Sequence, residues 1–273
     1  MLKQRIITGL IVGTAFILCL VYLPRAYLAV VLGVIMIIAA WEWTRLMQLT
    51  AMPARLIYCL VIAAFLWVVW KSLSDPAQSW RQLLYASALW WLLALVWLAS
   101  YPRGQEKTTS NQSVKLIAGV LILVPCWLGM IVLHQFGLAW LLYILIFIWV
   151  ADSGAYFAGK RFGKRKLAPK VSPGKTWEGL MGALLGCLIY AVVGLYWLKI
   201  ASTHWFSFIL VALALVPISV VGDLFESMIK RHTGVKDSGR ILPGHGGVLD
   251  RIDSWTAAIP MFTLACVYFG WAS

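Results

Sequence analysis

"VKLIAGVLILVPCWLGMIVL", residues 114–133, carries one charged side chain, Lys115, at its second position. A helix of about twenty apolar residues matches the ~30 Å hydrocarbon core of a bilayer. Runs of the same character recur at 6–23, 26–41, 56–70, 83–99, 138–158, 178–198, 205–229 and 255–271, which makes nine. The chain has 273 residues, 62% hydrophobic and 12% charged, against about 25% charged in a soluble domain. The expectation is an all-α polytopic integral membrane protein with about nine transmembrane helices. Sixteen tryptophans and ten tyrosines fit, because their rings favour the membrane–water boundary. The first run follows Lys3 and Arg5 but is long for a signal-peptide core and lacks a clean cleavage site, so it is expected to stay as a helix.

Charge gives the expected orientation. With the N-terminus in the cytoplasm and the C-terminus in the periplasm, nineteen of the 23 lysines and arginines fall on the cytoplasmic side, among them Arg45, Arg55, Arg103, Lys107 and Lys115. Only Arg25, Lys71, Arg81 and Lys199 fall opposite. Positive charge accumulates inside, so this is the favoured topology. Residues 1–137 hold about five helices; residues 138–273 form a second region with long cytoplasmic loops at 159–177 and 230–254. The net charge of +13 points, in so hydrophobic a chain, to anionic lipid or an anionic substrate and not to nucleic acid. Cys19, Cys59, Cys126, Cys187 and Cys266 all lie in apolar runs without a C-x-x-C pair, so they read as small hydrophobes.

Seven of the ten carboxylates lie beyond residue 150: Asp152, Glu178, Asp223, Glu226, Asp237, Asp250 and Asp253. Asp152 ends "YILIFIWVAD" (143–152), and Asp223 follows "LVPISVVG" (215–222). An ionised carboxylate at such depth costs ~3 kcal/mol unless paired or hydrated, so each is a candidate functional residue. The plain alternatives are an ion pair of Asp152 with Lys160 or Arg161, and one of Asp223 with Lys230. Asp223, Ser227 and Lys230 fall on one helical face, as do Asp250 and Asp253 on a helical first turn. Clustered carboxylates repel, and a divalent cation removes the conflict. Oxygen ligands alone favour a hard ion such as Mg²⁺.

Cations stand beside these acids in "GKRFGKRKLAPKVSPGKTWEG" (159–179) and "IKRHTGVKDSGR" (229–240). A metal on one side of a phosphate and lysines or arginines on the other is the pattern of phosphate chemistry. The G-K-T at 174–176 is not a P-loop, because the earlier glycine is missing and no strand is expected before it. Pro243, Gly244, Gly246 and Gly247 bracket His245 in a tight turn.

"SMIKRHTGVKDSGRILPGHGGVLDRID", residues 227–253, resembles the signature of the phosphatidate cytidylyltransferase family, the CDP-diacylglycerol synthases, at every fixed position. "ADSGAYFAGKRFGK" (151–164) and "SPGKTWEG" (172–179) resemble the same family. The resemblance implies a Mg²⁺-dependent transfer of the cytidylyl group of CTP to phosphatidic acid, forming CDP-diacylglycerol and pyrophosphate. It implies a homodimeric enzyme of phospholipid synthesis in the bacterial inner membrane. It places metal-binding aspartates at Asp223 and Asp250, with Asp253 close by and a second cation accommodated.

In this reading Lys175, with Asp223 and Asp250, is catalytic. Ser172, Ser227, Lys230, Arg231 and Lys236 bind the triphosphate or the lipid headgroup. Arg251 orients its neighbouring aspartates or touches phosphate, and His245 helps positioning. Asp237 fixes its loop. Phosphatidate, already ionised, reaches the site from the inner leaflet and needs no general base. A CTP-dependent lipid kinase, such as a polyprenol kinase, is the alternative enzyme. An ion-coupled transporter using Asp152 and Asp223 is the non-enzymatic one.

Overall fold

The computed structural model describes residues 2–101 and 111–272, with side chains from Ile7 onward. Arg103 and Lys107 lie outside the described residues. Among those described there are nine α-helices: α1 (Leu2–Tyr22), α2 (Arg25–Leu46), α3 (Met52–Ser72), α4 (Arg81–Ser100), α5 (Gln112–Phe136), α6 (Leu138–Phe162), α7 (Trp177–Trp197), α8 (Trp205–His232) and α9 (Leu249–Phe269). Helices α2 to α9 are long and apolar enough to cross a membrane; the apolar part of α1, Ile7–Tyr22, is shorter. The expectation of an all-α polytopic membrane protein is borne out.

Several helices run further than their apolar runs. Helix α2 continues to Leu46 and α3 begins at Met52, because the charged residues at their ends find partners. The Arg55 guanidinium lies 3.8 Å from the centre of the Trp41 ring, and its Nε donates to Thr44 Oγ1 at 2.8 Å. Helix α9 begins at Leu249, so Asp250, Arg251 and Asp253 belong to its first turns. A hydropathy window stops at such residues; the backbone does not.

The 159–177 segment is not all loop. Strands β1 (Lys166–Ala168) and β2 (Ser172–Thr176) pair antiparallel, with Lys166 opposite Thr176 and Ala168 opposite Ser172. Lys175 therefore stands on a strand, contrary to the expectation. These strands are too short and too rich in lysine, proline and glycine to show an alternating pattern. Thr176 closes the hairpin onto α7, its Oγ1 accepting the Gly179 N–H at 3.1 Å as an N-cap.

Two close helix approaches set the site. A Cβ on Gly154 would lie 2.8 Å from the Gly182 carbonyl oxygen, so α6 and α7 meet nearly backbone to backbone. A Cβ on Gly222 would lie 2.6 Å from the Asp253 carbonyl oxygen, so α9 lies against α8 beside Asp223. At the other end of α8 an aromatic cluster fills the core, with the Tyr143 ring 5.5 Å from those of Phe208 and Phe262.

Candidate active site

A cavity of about 390 Å³ opens between α6, α7, α8 and β2. Asp152, Tyr156, Ser172, Lys175, Ser219 and Asp223 are among its lining residues. Lys175 Nζ sits 2.7 Å from Asp223 Oδ2. Ser227, one turn along α8, donates its hydroxyl to Asp223 Oδ1 at 3.2 Å. Asp152 and Asp253 lie within electrostatic reach of both Asp223 and Lys175. Asp152 and Asp223 thus line the cavity beside one ammonium, Lys175, while Asp253 lies within reach of Lys230 as well. Such a site favours a further cation, and a polyanion that arrives with one.

A second cluster lies further along α8. Lys230 Nζ stands 3.0 Å from Glu226 Oε1 and 2.7 Å from Asp250 Oδ1. Asp250 Oδ2 also accepts the N–H of Ser238 at 3.0 Å and of Gly247 at 2.9 Å. The turn that delivers Gly247 uses Gly246 at φ +83°, where a Cβ would lie 2.9 Å from Asp250 Oδ2. Lys230 is buried, and two carboxylates offset the cost of its charge.

Part of the expected helical stripe forms. Ser227 bonds Asp223 as the spacing predicts, but Lys230 turns to Glu226 and Asp250, and Lys175 from the hairpin pairs with Asp223. Asp223 and Asp250 therefore hold different lysines. Asp152 faces the cavity, while Lys160 keeps its ammonium 5.6 Å from the Tyr156 ring centre. Ser172 lines the cavity as well.

Other expected residues stand apart from that cavity. Arg231 is exposed, and its Nε donates to the Val171 carbonyl at 3.3 Å, tying the end of α8 to the hairpin. Lys236, Asp237 and Arg251 are exposed. His245 packs toward α1, where a Cβ on Gly9 would lie 3.6 Å from its Nε2. Glu178 accepts the N–H groups of Lys164 and Arg165, fastening the basic segment to the start of α7.

Two acids that the sequence reading did not assign enter the picture. Glu226 stands four residues before Lys230, a spacing that could have exposed the pair. Glu42, on α2, reaches the 230–254 segment; its Oε2 accepts the Leu249 N–H at 2.8 Å and the Ser238 hydroxyl at 3.3 Å. No local signal marks that contact.

Among the described residues, no three histidine, cysteine, aspartate or glutamate side chains gather closely enough to hold a metal ion on their own. The donor set nonetheless fits Mg²⁺, which takes one or two carboxylates and completes its shell with water and substrate phosphate.

The family model for the cytidylyltransferase family matches residues 3–269. A phosphatidate cytidylyltransferase of Pseudomonas aeruginosa is 43% identical over 275 residues, covering all of both chains. One of Haemophilus influenzae is 40% identical, over 96% of this chain and 98% of the relative. One of Bacillus subtilis is 34% identical, over 98% of each.

Proposed function

This chain belongs to the cytidylyltransferase family, and on that premise we propose that the Asp223 cavity transfers a cytidylyl group from CTP to phosphatidic acid, giving CDP-diacylglycerol and pyrophosphate. The carrying observation is the 2.7 Å contact of Lys175 with Asp223. It joins "SPGKTWEG" to α8 four residues before the 227–253 signature begins, so a hairpin and a helix far apart in sequence meet at one cavity.

The lipid phosphate oxygen attacks the α-phosphorus of CTP, and the bond from that phosphorus to the pyrophosphate oxygen breaks. An in-line displacement asks the protein chiefly to position groups and to stabilise charge. Lys175 and Ser172 face the cavity and meet phosphate oxygens there. Lys230 stands ready between Glu226 and Asp250, while exposed Arg231, Lys236 and Arg251 draw the polyanion in from water. One or two of Asp223, Asp250 and Asp253 would hold Mg²⁺, with water and substrate phosphate completing its shell, and the ion would supply charge neutralisation at the phosphates; the remaining carboxylates leave a place for a second cation. Phosphatidate is already ionised near neutral pH, so His245, packed near Gly9, is not needed as a base.

The same reading places the N-terminus and both long polar segments in the cytoplasm, where CTP is found, and the protein in the bacterial inner membrane as a homodimer. Phosphatidate then arrives sideways from the inner leaflet with its acyl chains still in lipid.

Purified protein with labelled CTP, phosphatidate and Mg²⁺ tests the proposal. A nucleotide-bearing lipid and pyrophosphate are expected. Release of CDP with a newly phosphorylated lipid would mean attack at the γ-phosphorus and a lipid kinase. Ion flux without CTP and no lipid product would mean a transporter.

A further inference from the structure

The last turn of α2 reads "WEWTRL", residues 41–46. It is fixed from both sides. Trp43 Nε1 donates to the Lys115 carbonyl at 2.8 Å, and Lys115 Nζ donates to the Leu46 carbonyl at 3.2 Å, so α5 holds it on one flank. Arg55 of α3 holds the other through Trp41 and Thr44. The direction of Glu42 is therefore set by packing. Its residue is 3% exposed, and burial of a carboxylate is costly unless donors surround it.

The donors to one of its two oxygens, Oε2, come from the signature segment. Leu249 is the first residue of α9, and its N–H has no partner within the helix; Glu42 Oε2 accepts it at 2.8 Å. A helix N-terminus also favours negative charge. Ser238 faces two ways: its hydroxyl donates to Glu42 at 3.3 Å, and its N–H donates to Asp250 Oδ2 at 3.0 Å. Gly239 and Gly247 flank this contact, and a Cβ on either would collide with the Glu42 carboxylate. Both glycines leave room for a side chain from the other end of the sequence.

We propose that Glu42 is a positioning residue for cytidylyl transfer, acting through Ser238 and the N-terminus of α9 to hold Asp250, and through Asp250 Lys230, in register with the Asp223 cavity. This rests on the functional reading above. Glu42 does not line that cavity, so its loss disturbs the chemical step and leaves initial capture of CTP by Lys175 largely intact.

The test uses the full chain in detergent or nanodiscs as Glu42→Ala, Glu42→Gln and Ser238→Ala. It reads kcat and KM for CTP, and, without substrate, amide hydrogen exchange over residues 238–249. Glu42→Ala is expected to lose roughly tenfold or more in kcat, to keep KM for CTP within about twofold, and to exchange faster at Ser238 and Leu249. Glu42→Gln keeps an acceptor for the Leu249 N–H and should recover most of the protection and part of the kcat. The double variant Glu42→Ala/Ser238→Ala should fall no further than Glu42→Ala, since both act through one contact.

Unchanged kcat, a change confined to KM, or unchanged exchange at Leu249 overturns the proposal. If Glu42→Ala does not accumulate as folded protein, Ser238→Ala decides: wild-type exchange together with wild-type kcat overturns it. Wild-type protein that makes no nucleotide-bearing lipid would sink the functional reading, while the exchange data would still show whether Glu42 holds the segment.

Discussion

Lys175 reaches from a two-stranded hairpin to within 2.7 Å of Asp223, where the apolar run of α8 gives way to its polar end. Neither residue is fully buried: their side chains are 23% and 30% exposed. The pair is a closed contact that a phosphate can open, because Lys175 can trade a carboxylate partner for a phosphate oxygen without crossing a large desolvation barrier.

Lys175→Ala should therefore raise the KM for CTP by roughly tenfold or more, while helix content and melting stay near wild type. Lys175→Arg should recover only part, since the planar fork does not reproduce a compact ammonium on the same strand. Initial-rate measurements over a CTP series, with circular dichroism beside them, check this.

Asp223→Asn and Asp250→Asn should part company. The first alters a half-exposed cavity residue and should abolish divalent-dependent turnover with normal insertion and stability. The second turns an amide toward a carboxylate site filled by Lys230 and the N–H groups of Ser238 and Gly247. It should lose activity and also about 2 kcal/mol of stability. Thermal melts in detergent separate the two.

Lys230→Met leaves Glu226 and Asp250 buried with their cation gone. Removing one partner of such a group costs about 3 kcal/mol or more. The expected result is low yield of folded protein, partly restored by adding Glu226→Gln. Fluorescence-detected size exclusion of the single and double variants reads it.

Gly222→Ala places a methyl where the Asp253 carbonyl of α9 now lies. Overpacking costs about 1–3 kcal/mol. Here it also pushes Asp253 away from Asp223, so turnover should fall more than stability does. Activity normalised to folded protein is the measure.

Chelation of divalent cations should stop turnover, and added Mg²⁺ should restore it, because Asp152, Asp223, Glu226, Asp250 and Asp253 outnumber the ammonium groups of Lys175 and Lys230 and leave excess negative charge. Chelator should leave the melting temperature almost unchanged if Lys175 and Lys230 keep the ion-free site together.

The membrane fold was legible because about twenty apolar residues have few other stable uses in helical form. Asp223 was legible for the opposite reason: a carboxylate stands out in such a run. The ends of α2, α3 and α9 were not, since hydropathy counts Glu42, Arg55 and Asp250 as polar although each finds a partner in the fold. The β1–β2 hairpin was hidden by its brevity. The exchange of lysine partners was hidden by topology: the spacing of Asp223, Ser227 and Lys230 permits an ion pair along α8, but β2 supplies a closer cation to one acid and α9 supplies a better acceptor to the other.

Glu42 also bears on how the protein is made. The ribosome delivers α2 to the bilayer long before it delivers Leu249, so a carboxylate must wait in the nascent chain for its donors. Those donors lie 196 and 207 residues downstream. Closing so distant a contact is a late folding event. If Glu42 has the positioning role proposed above, newly synthesised chains should gain activity only after α9 has been inserted and has met α2.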